Sequence, residues 1–541
     1  MMKELEGLSA LIIEPQTGMR ASLHNMLNLC GVANIDDAPG SAQAIRFVSL
    51  KQYDLILCEY DLDGGQDGQQ LLEDLRHHQL INAATMFFMV TGEGNLERVV
   101  SAAELAPTDY ILKPFAADRL LERIGRALAR RNVFVPVYQL MEMGSERDAI
   151  AACVEGATNY PRYAPDFMRL RAELHVMLGE PAEAEPIYAA LFESKGIAWA
   201  RLGQAKTLFM RERFEEAVEM LEKLVESSPR FLDAYDWLAK TLAAMGQTAR
   251  AQGVLSDAVT VSPHAVRRLR KLGDMAMDAG DIGAAEKALK LVVSKAKYSE
   301  FRDPEDHAKL VRTLVRKGDP VQAAAVIRDL DRSMAGQTNT GLCSAISSAM
   351  VHEYTGNGVR LKESLDAALT ACRDSVGLSN DMKMELARNC LGNGKEEGAL
   401  AVMRDVMRNA PNTATMAKAM DVFEKAGRND LALPLVQESS KEVADMVAAG
   451  AARAKAGDFR GAVDLMTEAA AKLPDNPHVV FNGAVAALKC LENMGWDERL
   501  GHYALSLIAS VRRLDPTNAK LPALSGLHQQ ILKKYNIKAG R

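Results

Sequence analysis

Apolar and polar positions follow two different rhythms along this chain. Through residue 130, short apolar runs alternate with amphipathic stretches. Ala10 to Ile13, Val32 to Ile35, Leu55 to Cys58, Met86 to Val90 and Tyr110 to Leu112 predict five strands. Met19 to Cys30, Ala42 to Leu50, Gln69 to His77, Asn95 to Glu104 and Ala117 to Arg130 predict the helices between them. Such an alternation predicts an α/β domain with a five-stranded parallel sheet over residues 8–130. From Asn132 onward the strand pattern stops and only helical periodicity remains.

The helical part repeats one phrase. A helix ends at a glycine or polar turn, a small residue follows five positions later, and a proline often falls twelve positions after that. The small residues are Ala149, Ala184, Ala217, Ala251, Ala285, Ala323, Ala399, Ala432, Ala462 and Ala504. Spacings of 35, 33, 34, 34 and 38 lead from Ala149 to Ala323, and 33 and 30 join Ala399, Ala432 and Ala462. Gly144, Gly179, Gly246, Gly280, Gly318, Gly394, Gly427 and Gly457 stand five before their anchors, and Pro161, Pro229, Pro263, Pro411, Pro474 and Pro516 twelve after theirs. Two helices touch closely only over a small side chain, glycine ends the first helix, and proline separates one hairpin from the next. This period resembles the tetratricopeptide repeat, seen best from Asp233 to Arg268 with Trp237, Leu238, Ala239, Ala251, Ala258 and Pro263. The expectation is an all-α superhelical solenoid of 10–11 hairpins over 133–530, irregular over 337–390 where no anchor can be placed, and a tail from 531 to 541.

Composition narrows the chemistry. Aromatic residues make up 5% and hydrophobic residues 48%, as close-packed helices require. The net charge of -6 is uneven: residues 1–130 carry 11 Lys+Arg against 18 Asp+Glu, and the remainder is nearly balanced. Neither part is basic in bulk, which argues against nucleic acid as a partner. The longest apolar stretches fall far short of a membrane span, and no secretory leader is visible, so a cytoplasmic protein without membrane contact is expected. Seven scattered cysteines without CxxC spacing read as reduced structural thiols. No nucleophile and base motif, phosphate-cradling loop or metal cluster is visible, so an enzyme is not expected.

In a doubly wound sheet, chemistry gathers beyond the carboxyl ends of the strands. The polar residues there are Glu14, Glu59, Thr91 and Lys113. With the runs Met89-Val90-Thr91-Gly92-Glu93, Tyr110-Ile111-Leu112-Lys113-Pro114-Phe115 and Tyr53 to Gly68, they resemble the receiver domain of response regulators, which has a flavodoxin-like fold. The resemblance covers about 120 residues. It implies that Thr91 is the switch hydroxyl, Lys113 the lysine of the strand-five motif, Tyr110 the switch aromatic and Lys113-Pro114 a cis peptide bond. Two positions depart from the pattern. Glu59 stands at the phosphoacceptor, and Glu14-Pro15 stands where two acids would help to hold Mg²⁺. Glutamate is one methylene too long and Pro15 offers no side-chain ligand, so the expectation is neither bound Mg²⁺ nor any other cofactor. What remains is an ion pair from Glu59 to Lys113. Asp61 and Asp63 are alternative acceptors in the following loop.

The first helix of each hairpin usually lines a repeat array's inner face. This places Lys206, Phe209, Lys240, Arg267 and Arg270 on a candidate peptide-binding face, with a solvated charge run as the plainer reading. The expected function is a non-catalytic signal-transduction adapter, phosphorylation-independent, with protein partners at the receiver surface and the repeat face. A bacterial two-component or chemotaxis-like pathway is its expected setting. The alternatives are an ordinary phosphorylated response regulator with repeat output, and a structural assembly scaffold. Homodimerisation stays open.

Overall fold

The computed structural model describes residues 5–62, 67–92, 107–263, 265–296, 302–373, 375, 377–516 and 518–537. Elements are numbered over these residues. The first part contains β1 Ser9–Ile13, α1 Thr17–Leu29, β2 Asn34–Ala38, α2 Ser41–Leu50, β3 Leu55–Glu59, α3 Gly68–His77, β4 Met86–Thr91, β5 Asp109–Leu112 and α4 Ala117–Glu142. All five expected strands are present, with ends that coincide with the expected ones or shift by at most three residues. The helix expected over Asn95 to Glu104 lies outside the described residues, as do Asp63 and Glu93. The strands form a parallel sheet in the order β2-β1-β3-β4-β5. Strand β4 shows why its sequence is continuously apolar. Phe88 and Val90 enter the core beneath one face, and Phe87 and Met89 the core beneath the other. Asp67 caps α3, its carboxylate accepting from the Gln70 amide at 2.7 Å.

No break separates the two parts of the chain. Helix α4 runs past the expected boundary at 130–133, with Pro136 inside it and Phe134 and Val137 buried. The Phe134 ring lies 4.3 Å from that of Phe167, so the last helix of the α/β domain is also the first helical surface of the array.

The array continues as α5 Glu146–Asn159, α6 Ala164–Met177, α7 Pro181–Lys195, α8 Ala198–Met210, α9 Phe214–Ser227, α10 Leu232–Ala244, α11 Thr248–Val261, α12 Val266–Asp278 and α13 Ile282–Ala296. Then come α14 Pro304–Lys317, α15 Pro320–Ser333, α16 Thr340–Tyr354, α17 Gly358–Arg373, α18 Asn380–Gly392, α19 Glu396–Arg408 and α20 Thr413–Lys425. Helices α21 Asn429–Lys455, α22 Phe459–Lys472, α23 Pro477–Met494, α24 Glu498–Leu514 and α25 Leu521–Lys534 complete it. All ten anchor alanines are at most 3% exposed. The eight turn glycines have φ between 67° and 87°, a region that side chains with a Cβ avoid. Within the stretch 337–390 the described residues include α16, α17 and most of α18. Gly356 ends α16 with φ 71°, and five residues later stands Leu361, 5% exposed, where other hairpins have alanine. Helix α25 carries the array beyond 530 into the expected tail.

The chain divides into two compact units. One comprises Met1–Gln139, Ala149–Ala172 and Ala182–Asp306, and the other Leu140–Asp148, Glu173–Pro181 and His307–Arg541. Among the described residues no helix is long and apolar enough to cross a membrane.

Candidate functional site

The strand ends bring the predicted pocket together. Backbone hydrogen bonds extend the sheet just past its regular edge: Glu14 N–H donates to Ala38 O at 3.0 Å, Tyr60 N–H to Val90 O at 3.2 Å, and Lys113 N–H to Thr91 O at 2.8 Å. Glu14, Glu59, Thr91 and Lys113 therefore sit on rigid backbone. The Lys113-Pro114 bond is cis.

The lysine ammonium lies between the two carboxylates. Lys113 Nζ donates to Glu14 Oε2 at 2.6 Å and to Glu59 Oε2. Each glutamate uses its other oxygen locally. Glu14 Oε1 accepts from the Gln16 amide at 3.0 Å, and Glu59 Oε1 accepts from the Tyr60 and Asp61 amides at 2.7 and 3.3 Å. Glu14 and Glu59 are 2% and 12% exposed at the side chain and Lys113 14%, so both ion pairs are shielded from water. Burial opposes the charge on Lys113, but its hydrogen bonds to Glu14 and Glu59 outweigh it and hold the ammonium above its ordinary range. Beneath Glu59, burial pushes the Cys58 thiol well up.

Pro15 contributes its carbonyl, which accepts from Arg20 Nη1 at 3.2 Å, while the same guanidinium nitrogen donates to Glu14 O at 2.6 Å. Thr91 is 5% exposed at the end of β4. The Tyr110 ring packs against the core that includes Leu71 and Met89, and its hydroxyl is buried without a hydrogen-bond partner among the described residues. Burial, then the neighbouring Tyr60, raises its pKa.

Two contributors escape the sequence reading. Arg20 lies one helical turn into α1, a position that nothing in the strand-end pattern marks. Gly68 reads as a turn residue, yet a Cβ there would press on the Glu59 carbonyl, with the Met89 and Cys58 sulfurs only 3.0 and 3.1 Å away. Its lack of a side chain lets α3 start directly against the pocket floor.

On the repeats, three of the five predicted face residues converge. Lys240 Nζ lies 4.8 Å from the Phe209 ring centroid and 4.2 Å from that of Trp237, and Lys206 Nζ lies 5.2 Å from Trp237. Phe209 and Trp237 meet edge to face at 5.5 Å. Trp237 is thus the centre of the cluster, although by sequence it reads only as a repeat landmark. Arg270 is engaged within the array, its guanidinium gripping Asp306 at 2.8 and 2.7 Å. Arg268 is buried against Asp236 at 3.1 Å, and Lys271 lies 3.8 Å from the same carboxylate. Arg267 stands beside them at the start of α12. Separately, the other unit has a groove of about 1080 Å³ near α18, α19 and the end of α22, where Lys383 is neutralised by Asp405 at 2.6 Å.

A family model for the response regulator receiver domain matches residues 10–125, and one for the tetratricopeptide repeat matches residues 238–300. Chemotaxis protein CheY-3 of Vibrio cholerae is 26% identical over 125 residues, which are 23% of this chain and 95% of that protein. Chemotaxis protein CheY of Pseudomonas aeruginosa is also 26% identical over 125 residues, covering 99% of its length. Among solved structures, the C-terminal part of a repeat-containing protein from Cytophaga hutchinsonii aligns at 14% identity and TM-score 0.37, over 45% of this chain and 96% of that one. A tetratricopeptide repeat protein from Parabacteroides merdae aligns at 13% and 0.35, over 51% and 98%. The chain carries a response regulator receiver domain at residues 10–125 followed by a helical array with tetratricopeptide repeats, a composition that fits two-component signalling.

Proposed function

We propose that this chain is a non-catalytic signal-transduction adapter whose receiver domain works without phosphorylation and without bound Mg²⁺, and whose repeats bind proteins. The observation that carries the reading is Lys113 Nζ seated between Glu14 and Glu59. In the receiver arrangement a divalent cation balances the acidic strand ends. Here one ammonium balances two carboxylates, and the remaining carboxylate oxygens accept backbone amides. An incoming phosphoryl group would have to break both ion pairs, and glutamate at the acceptor position already fills the space it needs.

The enclosed Tyr110 hydroxyl supports a pocket held in a single state, with the Glu59 charge standing permanently where a phosphoryl charge would come and go. The receiver then offers its surface as a fixed docking element. We place this adapter in the cytoplasm, as is usual for both kinds of domain.

The test is incubation of the full chain with Mg²⁺ and a small-molecule phosphoryl donor, followed by intact-mass measurement. No adduct is expected. A gain of one phosphoryl group on Glu59 or Asp61 would return the protein to the ordinary phosphorylated regulators.

A further inference from the structure

The first helices of two successive hairpins meet over a pair of aromatic rings. On α8, Lys206 and Phe209 stand three residues apart and share one helix face, and on α10 so do Trp237 and Lys240. The two rings lie edge to face at 5.5 Å, and Phe214, which opens α9, adds a third ring 5.3 Å from Phe209. The ammonium groups cross between the helices. Lys240 Nζ stands over Trp237 of its own helix at 4.2 Å and over Phe209 of α8 at 4.8 Å, while Lys206 Nζ stands over Trp237 at 5.2 Å. Lys206 and Lys240 are one repeat of 34 residues apart, so they hold equivalent positions on neighbouring hairpins. Phe209 and Trp237 are half-buried and Lys240 is exposed, so the cluster reaches solvent.

Neighbouring cations have carboxylates. Lys223 donates to Glu219 at 2.6 Å, Arg250 to Glu222 at 2.6 Å, Arg268 to Asp236 at 3.1 Å and Arg270 to Asp306 at 2.7 Å. Lys240 has rings instead, and among the described residues no carboxylate pairs with it. A ring face attracts an ammonium through its quadrupole but carries no net charge, so the positive charge of Lys240 stays uncompensated. Burial, then Lys271 and Lys206, hold its pKa below the ordinary lysine range, and an anion seated there would oppose all three. The rings also decide what carries that anion. The bases of a single-stranded nucleic acid need bare ring faces on which to stack, whereas ammonium groups already stand over both rings. Carboxylates need only the ammonium groups. In an extended polypeptide the side chains of alternate residues are about 6.6 Å apart, a separation that two ammonium groups around one indole can serve.

We propose that Lys240 and Lys206, held over Trp237 and Phe209, form a binding site for an acidic segment of a partner protein, whose side-chain carboxylates take the ammonium groups while its methylenes rest on the rings. The inference rests on the adapter reading for the repeats' role in binding proteins, and deepens it by naming the residues and the partner's chemistry. It is tested without any phosphoryl donor, so it can fail while the inert receiver pocket stands, and the reverse.

The experiment titrates the full-length chain into a labelled deca-glutamate peptide with blocked termini, so that only side-chain carboxylates are offered, and reads fluorescence anisotropy. The unaltered chain is expected to bind it and to ignore a neutral Gly-Ser peptide of equal length. Lys240→Gln and Lys206→Gln are each expected to weaken binding about fivefold, the effect of one partly exposed charge pair. Lys223→Gln removes the same charge from a lysine already paired with Glu219 and is expected to bind like the parent. Saturating peptide is expected to shift the tryptophan emission of the parent and not that of Trp237→Phe. Labelled deca-thymidylate is expected not to bind. No binding of deca-glutamate by the unaltered chain, equal affinity in Lys240→Gln, or an equal loss in Lys223→Gln would each overturn the proposal. Deca-thymidylate binding that depends on Lys240 would also overturn it, by assigning the site to nucleic acid.

Discussion

Lys113 seats its ammonium between two strand-end carboxylates, which makes it the residue to test first in the receiver pocket. Its ammonium neutralises Glu14 and Glu59, 2% and 12% exposed. Replacing it with methionine keeps the stem and removes the charge, leaving two enclosed carboxylates facing one another. Removing one member of a buried ionic group typically costs about 3–5 kcal/mol, and this triad belongs near the lower end because its rim reaches water. Urea unfolding of Lys113→Met near neutral pH should show that loss in the receiver transition. A variant as stable as the parent at neutral pH would mean that the triad does not bind the strand ends together. Much of this site is legible in the sequence. Glu59 and Lys113 each end or follow an apolar run, and the chemistry of an acid and a lysine fixes their pairing. The second pair, from Glu14, is not legible, because it depends on β1 and β5 placing their ends around one point across β3 and β4.

At the scale of elements, the repeat phrase shows where sequence suffices. Every predicted anchor alanine is buried and every predicted turn glycine has positive φ. The misses have one physical cause, since the rule reads residue types while the fold needs only conformations and volumes. Leu361 fills an anchor position that alanine fills elsewhere, so the hairpin α16–α17 appears irregular in sequence and regular in structure. The turn between α8 and α9 is a second case. Five residues before Ala217 stands Glu212, with φ 58°, where eight of the other anchors have glycine. A side chain in this left-handed region costs about 1 kcal/mol relative to glycine. Glu212→Gly should therefore raise the midpoint of thermal unfolding, with a gain of up to about 1 kcal/mol, reduced by the greater freedom of glycine in the unfolded chain. Calorimetry of the two chains checks the sign. A destabilised variant would show that the Glu212 side chain makes contacts worth more than its backbone strain.

For the molecule as a whole, the contacts that tie distant sequence together decide how much of the array unfolds at once, since a solenoid held only by neighbouring repeats loses its ends first. One compact unit contains such a tie. Glu146, 2% exposed, pairs with Arg512 at 2.6 Å, and Lys533 reaches Asp148 at 3.1 Å. Gln529 meets the Ser145 hydroxyl at 3.2 Å, and His528 Nδ1 lies 3.4 Å from Gly144 O across 384 residues of sequence. Gly144 is pressed against Leu505 and the His528 ring, which leaves no room for a Cβ. Glu146→Ala removes the buried carboxylate that pairs with the half-buried Arg512, a loss of up to about 3 kcal/mol. Hydrogen exchange should quicken in 521–534 and 498–514 while the sheet peptides keep their rates. The same tie should respond to pH. Burial holds the His528 pKa below its free value, with Gly144 O and Glu146 opposing that shift and Arg512 reinforcing it. A depressed histidine pKa stabilises the folded state above the free value of about 6.5, and that contribution is lost as the pH falls below it. Once corrected for intrinsic exchange, protection of 521–534 should therefore fall on acidification in the parent and stay level in His528→Gln. If it falls equally in both, the pH response does not come from His528, which then serves only to pack.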